Sequence, residues 1–240
     1  MAAKVSSGDA SANPAGQAFP QGRRYNRCAM THNDSPLFRA LDGLYEPSAI
    51  QQLADGRFLV LEDEKTHPFT LVTIGPDGAV SGIPLRQKPQ DLPKLNDLEG
   101  IALDQSGHIY AITSHSRDSD GDEKASRERL LRFRIEADRV VAPMVSKALK
   151  PALLAAHPVL AAAAEIRDVK AGGGLNIEAL DLSPDAQRLL IGFRSPLLGK
   201  RALVACVENP EAIFDSGEVP RISARLETLD LGGNGIRGMS

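Results

Sequence analysis

Five side chains recur at repeat-related positions and have the chemistry to hold a small polar ligand. They are Glu99, His115, Glu178, Arg194 and Arg237. Glu99 heads the apolar segment Leu98-Glu-Gly-Ile-Ala-Leu103, and Glu178 heads a second copy, Ile177-Glu-Ala-Leu-Asp-Leu182. Sixteen residues after each glutamate stand His115 and Arg194. A third copy opens at Gly235-Ile-Arg-Gly-Met239 and places Arg237 where the others have glutamate. Carboxylates, an imidazole and two guanidiniums gathered at one point would form a polar funnel for a small anionic ligand or a hydrated cation. The same groups could instead brace the fold, each glutamate pairing with Arg194, Arg237 or neighbouring backbone amides. Losing one partner of a buried pair costs about 3–5 kcal/mol, so architecture alone can maintain such residues.

The elements that must position these groups are short strands. Ser48–Leu53, Arg57–Glu62, Phe69–Ile74 and Ala79–Leu85 form two hairpins, turning at Asp55-Gly56 and at Gly75-Pro-Asp-Gly78. Gly in such turns accepts the positive φ that a tight hairpin needs. A second unit follows, with Glu99–Leu103, Ile109–Thr113, Leu130–Ile135 and Arg139–Ala142 as its strands and a polar insertion over Ser114–Arg127. Residues 146–169 are rich in Ala and Leu and predict one long helical insertion, with Pro151 and Pro158 starting or breaking its segments. The third unit has strands at Glu178–Leu182, Arg188–Ile191, Ala202–Val207 and Ile222–Leu231, with a helical turn near Asn209–Phe214.

Repeats of four short antiparallel strands predict an all-β fold of β-propeller-like blades. A β-sandwich also has many short strands, but it does not account for the recurring Glu-headed segment. Residues 1–36 are expected to be a flexible leader, and 37–240 a partial propeller of three blades and the start of a fourth. Three blades cannot close a ring. The chain is therefore expected to be either a fragment of a longer protein or an open array. In a propeller the first strand of each blade lines the central channel. The start of strand one and the end of strand two lie at the same end of the blade. Glu99 should meet His115 there, and Glu178 should meet Arg194. The register of the first unit has two solutions. Aligning its Asp55-Gly56 turn puts Ser48 at the Glu99 position and Glu64 at the His115 position. Aligning the glutamates puts Glu62 there instead.

Bulk properties narrow the function classes. The 240 residues carry a net charge of −3, which gives no electrostatic basis for binding nucleic acid or an anionic membrane. Apolar residues make up 42% of the chain, yet none of its runs reaches the roughly 18 residues of a membrane span. With no secretory signal pattern in the first residues, a cytoplasmic protein is expected. Cys28 and Cys206 make no disulfide framework, and Cys206 sits in an apolar run as a core residue. Asp118-Ser-Asp-Gly-Asp-Glu123 resembles part of a calcium loop but lacks the terminal bidentate acid, and reads as a solvated inter-strand loop. No nucleophile elbow, P-loop or paired CxxC motif occurs, and none of His32, His67, His108, His115 and His157 has metal spacing with another.

The segments Leu95–Asp104, Ser114–Arg117, Leu130–Arg134, Leu175–Leu180 and Leu229–Gly238 together resemble a bacterial family known as a domain of unknown function. The resemblance covers Leu44 to Met239 and is most specific over Asn234–Gly238. It implies a propeller-like fold with longer members that continue past Ser240. The segment Asp97–Ala102 is also similar to the esterase-like domain of certain phytases. Two functions follow as expectations. One is a scaffold or small-ligand-binding module. The other is a divalent-metal-assisted hydrolase of phosphoesters or lactones, with Glu99, Glu178, Asn96 and Asn176 holding Ca²⁺ or Mg²⁺.

Overall fold

The computed structural model of the chain describes residues 44–63, 66–88 and 91–240. The leader expected over 1–36 and Glu64 lie outside the described residues. Twelve described strands form three four-stranded antiparallel sheets, each a meander of consecutive neighbours. The first holds β1 (Pro47–Gln52), β2 (Phe58–Glu62), β3 (Phe69–Ile74) and β4 (Val80–Pro84). The second holds β5 (Leu98–Leu103), β6 (Ile109–Thr113), β7 (Leu130–Glu136) and β8 (Arg139–Ser146). The third holds β9 (Asn176–Leu182), β10 (Leu189–Leu198), β11 (Arg201–Val207) and β12 (Glu227–Leu229). First strands adjoin one another, with β5 between β1 and β9. This is a propeller-like array of blades that does not close into a ring.

The second blade explains the residue pattern best. Along β6, Ile109 and Ala111 enter the core shared with the first blade. Tyr110 and Ile112 enter the core shared with the third. A strand covered on both faces reads as a continuous apolar run, because successive side chains point to opposite sides. In β7, Leu131 and Phe133 take the first side, where the Phe133 ring centroid lies 4.8 Å from that of Phe69. Leu130 and Arg132 take the other. The Arg132 guanidinium is paired with Asp215 and stands 5.1 Å over the Phe214 ring. Cys206 is buried in β11, as its apolar run predicts.

Two expected elements differ. The helical insertion is three short helices, α1 (Leu149–Ala156), α2 (Pro158–Ala164) and α3 (Val169–Gly172). His157 separates α1 from α2 with an extended backbone (φ −133°, ψ 106°), because the residue before a proline is excluded from the helical region. Pro151 falls in the first turn of α1, where its missing N–H has no intrahelical partner to lose. Leu149, Leu153 and Leu160 anchor the insertion to the core between the second and third blades. The second difference is the outer strand of the third blade, expected over 222–231, which is a continuous strand only over Glu227–Leu229, with an isolated antiparallel bridge from Ile222 to Val207. A fourth α-helix, α4 (Pro210–Asp215), occupies the turn before it. Among the described residues, no helix is long and apolar enough to cross a membrane.

Candidate functional site

Backbone hydrogen bonds at the inner end of each blade fix the repeat register. Ser114 N–H donates to Asp97 C=O at 2.9 Å, and Asp63 N–H to Glu46 C=O at 3.3 Å. Both pairs are separated by 17 residues, so the first unit follows its Asp55-Gly56 turn. Ser48 therefore takes the Glu99 position and Glu46 the Asp97 position. Between blades, Ile177 N–H donates to Ser114 C=O and Ile236 N–H to Phe193 C=O, both at 2.9 Å. The second bond docks residues 235–237 against the third blade as the third blade docks against the second. No strand is assigned at Gly235–Met239, where one was expected. Glu62, the other solution for the first unit, is buried and held within the first blade. It accepts a 2.6 Å bond from Tyr45 N–H and another from the Thr70 hydroxyl.

The starts of the first strands surround a depression of about 1210 Å³. In each blade two alternate positions face it: Glu46 and Ser48, Asp97 and Glu99, Asn176 and Glu178. The core residues Leu98 and Ile177 separate the last two pairs. The last step replaces the pair with Gly235 and Arg237. Glu46 and Asp97 share a positive φ, 47° and 64°. That conformation is uncommon for residues other than glycine, and it clusters where function demands a particular geometry.

The two repeat-related glutamates stand in opposite states. Glu178, 7% exposed, is saturated with donors. Its Oε1 accepts from Arg194 Nη1 at 2.9 Å and from Asn176 Nδ2 at 3.1 Å, and Arg237 Nη1 lies 3.4 Å from Oε2. The expected meeting of Glu178 with Arg194 and Arg237 is present. Glu99 is half-buried, and among the described residues no hydrogen bond or ion pair reaches its carboxylate. Burial, then the negative charges of Asp97, Glu178 and Asp63, push it up to about 8; Arg127 offsets this only in part. Asp63 is also raised, chiefly by burial, although it accepts the Asp97 N–H at 2.5 Å.

The structure does not bring His115 to the depression. It is 1% exposed and does not line the cavity. Its Nδ1–H donates to Thr113 C=O at 2.8 Å, and burial lowers its pKa to about 4, so the ring is neutral. A backbone turn with φ 55° folds the ring into the blade, and a β-bulge between Leu98 and Gly100 further shifts the strand register. Neither feature follows from residue spacing. In its place stand residues that spacing did not single out, Asp97, Asp63 and Arg127. Arg127 Nη1 donates to Asp97 Oδ2 at 2.6 Å and to Ser116 Oγ at 3.0 Å. The signal for Asp97 was its place two residues before Glu99, matched by Asn176 before Glu178.

Arg127 holds Asp97 beside two other carboxylates. Arg127→Ala is expected to lower stability by about 1–3 kcal/mol in urea unfolding, because a partly buried carboxylate loses its charge-assisted bond. Adding Asp97→Asn should recover part of that loss, as coupled partners are non-additive.

The Asp118–Glu123 loop forms part of the rim. Asp118 Oδ1 accepts the N–H groups of Asp120 and Asp122, and Lys124 Nζ lies 3.1 Å from Asp118 Oδ2. Arg167 Nη2 lies 3.2 Å from Asp122. Asp118, Asp122 and Glu123 are thus turned to backbone donors and side-chain cations. Among the described residues, no group of three or more His, Cys, Asp or Glu side chains stands close enough to hold a metal ion.

No family model and no curated protein matches the chain. Among solved structures it is similar to the Kuenenia stuttgartiensis hydrazine synthase, at 11% identity and a TM-score of 0.38, over 85% of this chain and 41% of that one. It is similar to the PQQ domain of Coprinopsis cinerea pyranose dehydrogenase, at 13% identity and a TM-score of 0.41, over 76% and 39%. A Lactobacillus plantarum protein is similar at 9% identity and a TM-score of 0.34, over 70% and 35%. The chain therefore spans less than half the length of each.

Proposed function

We propose that this chain is a propeller-like small-ligand-binding module, with its site in the depression between Glu99 and the Arg194–Arg237 pair. One observation carries this reading. Glu178 is braced by three donors, whereas Glu99, at the same repeat position, faces the depression with none. A purely architectural ring would give Glu99 a partner too, since an unpaired, partly buried carboxylate is unfavourable. Such local instability is found where a ligand completes the site. Three of the five segments that resemble the bacterial propeller-like family carry Asp97, Glu99, Asn176, Glu178 and Arg237, while Arg194 lies outside them. The resemblance and the site thus overlap in sequence.

The test is a thermal-shift screen of small polar compounds of mixed charge, run in parallel on the parent protein and on Glu99→Gln. A compound at a hundred times its Kd adds about 2.7 kcal/mol. For a chain of this size that raises the Tm by roughly 5–10 °C. At least one compound should shift the parent by this order and leave the variant nearly unmoved. Equal shifts in both proteins, or none in either, would refute the assignment.

A further inference from the structure

We propose that the ligand is a small zwitterion, with a protonated amine seated at Glu99 and the Asn176 side-chain oxygen and an anionic group facing Arg194 and Arg237. This deepens the binding-module reading and rests on it.

Asn176 is the second anchor. It lines the depression, is 8% exposed, and donates Nδ2 to Glu178. Its Oδ1 is buried and has no hydrogen-bond partner. A buried acceptor left unpaired is costly, and the group that satisfies it must be a donor. Glu99 adds a carboxyl group with no donor of its own, flanked by the charges of Asp97, Glu178 and Asp63, and an ammonium bound beside it favours release of its proton and the ionised form. Two acceptors in a negative field suit an ammonium, which brings three N–H donors and one positive charge. A metal ion suits them less, because among the described residues no group of three or more His, Cys, Asp or Glu side chains stands close enough to hold one.

The opposite end of the ligand is set by the two guanidiniums. Arg194 and Arg237 each direct one nitrogen at Glu178, and no other partner engages either among the described residues. Their side chains are 35% and 67% exposed, so further N–H donors remain open to an anion. A ligand with an anion alone fits poorly. Eight carboxylate side chains line the depression against five arginines, and Glu178 already neutralises part of the arginine charge. The Asn176 amide and the Arg194 guanidinium stand close together. Asn176 Nδ2 and Arg194 Nη1 bond the same oxygen of Glu178, so amide and guanidinium are neighbours across one atom. An α-amino acid carries its ammonium and carboxylate one carbon apart and can span such a gap.

The experiment is isothermal titration calorimetry of the full chain with α-amino acids supplied singly. Methylamine, acetate, inorganic phosphate and Ca²⁺ serve as single-function probes. At least one amino acid should bind, and each single-function probe should bind at least about tenfold more weakly, since each forgoes charge-assisted bonds at one end. Arg237→Ala alters a solvent-exposed side chain and should leave the fold intact. It should weaken the amino acid by about tenfold and should not weaken methylamine, since it removes a positive charge from the site. Acetate, phosphate or Ca²⁺ binding as tightly as any amino acid would overturn the zwitterion assignment. If every amino acid is silent while another compound from the thermal screen binds and is lost in Glu99→Gln, the zwitterion fails and the binding module stands. Silence from every compound in both experiments overturns both.

Discussion

Glu99→Gln should stabilise the protein at pH 8 and leave it almost unchanged near pH 4.5. In the unfolded chain Glu99 ionises at the ordinary value of 4.5, and in the native state at about 8. Between those limits the native state holds a proton that the unfolded state has released. Stability therefore falls as pH rises through this window, by up to about 1.4 kcal/mol per pH unit. Glutamine has the same shape and does not titrate, so the variant lacks this slope. Glu99 is only half-buried, and solvent screening reduces the integrated effect to about 1–3 kcal/mol at pH 8. Urea unfolding across the pH range reads it directly, and a Tm gain of roughly 3–8 °C at pH 8 accompanies it. Glu178→Gln should act in the opposite direction, because its charge holds Arg194, Arg237 and Asn176. If both glutamine variants prove destabilising to a similar degree, both glutamates brace the fold and Glu99 is not waiting for a ligand.

The blades were legible because strand periodicity and turn chemistry are local. Asp55-Gly56 and Ser106-Gly107 mark tight turns, and Ile109–Ile112 is apolar throughout because two blades cover it. The Glu178–Arg194 pairing was legible for the same reason, since antiparallel neighbours bring those two ends together. Three things were not. The first unit's register could be settled only by the Asp63–Glu46 and Ser114–Asp97 hydrogen bonds. The inward turn of His115 depends on a left-handed φ that an imidazole residue does not advertise. The contrast between Glu99 and Glu178 depends on what the next element supplies. Asn176, Arg194 and Arg237 converge on Glu178, while Asp97 and Asp63 approach Glu99 with charge of the same sign. Identical positions in a repeat share geometry, and their neighbours decide the electrostatics.

Gly100→Ala is expected to cost about 2–4 kcal/mol, one of the largest effects of any single methyl group in the molecule. The reason is proximity, not conformation. A Cβ at Gly100 would stand 2.6 Å from the Leu180 amide nitrogen and 2.9 Å from the Ala179 carbonyl carbon. Both are backbone atoms of β9 and cannot rotate aside, so β5 and β9 must separate. Gly107 provides the control. It lies in the β5–β6 turn at φ +81° with open space around its Cα, so an alanine there bears only the cost of a left-handed backbone, about 1 kcal/mol. Urea midpoints of the two variants should therefore differ clearly, and equal losses would mean that β5 and β9 do not approach so closely. The contact also connects the fold to the site, because Gly100 follows Glu99 directly and its approach sets the distance from Glu99 to Glu178. Separating the strands weakens the repulsion that helps to keep Glu99 protonated. In a Gly100→Ala background the stabilisation from Glu99→Gln at pH 8 should then be smaller than in the parent, a non-additivity that a double-mutant cycle measures.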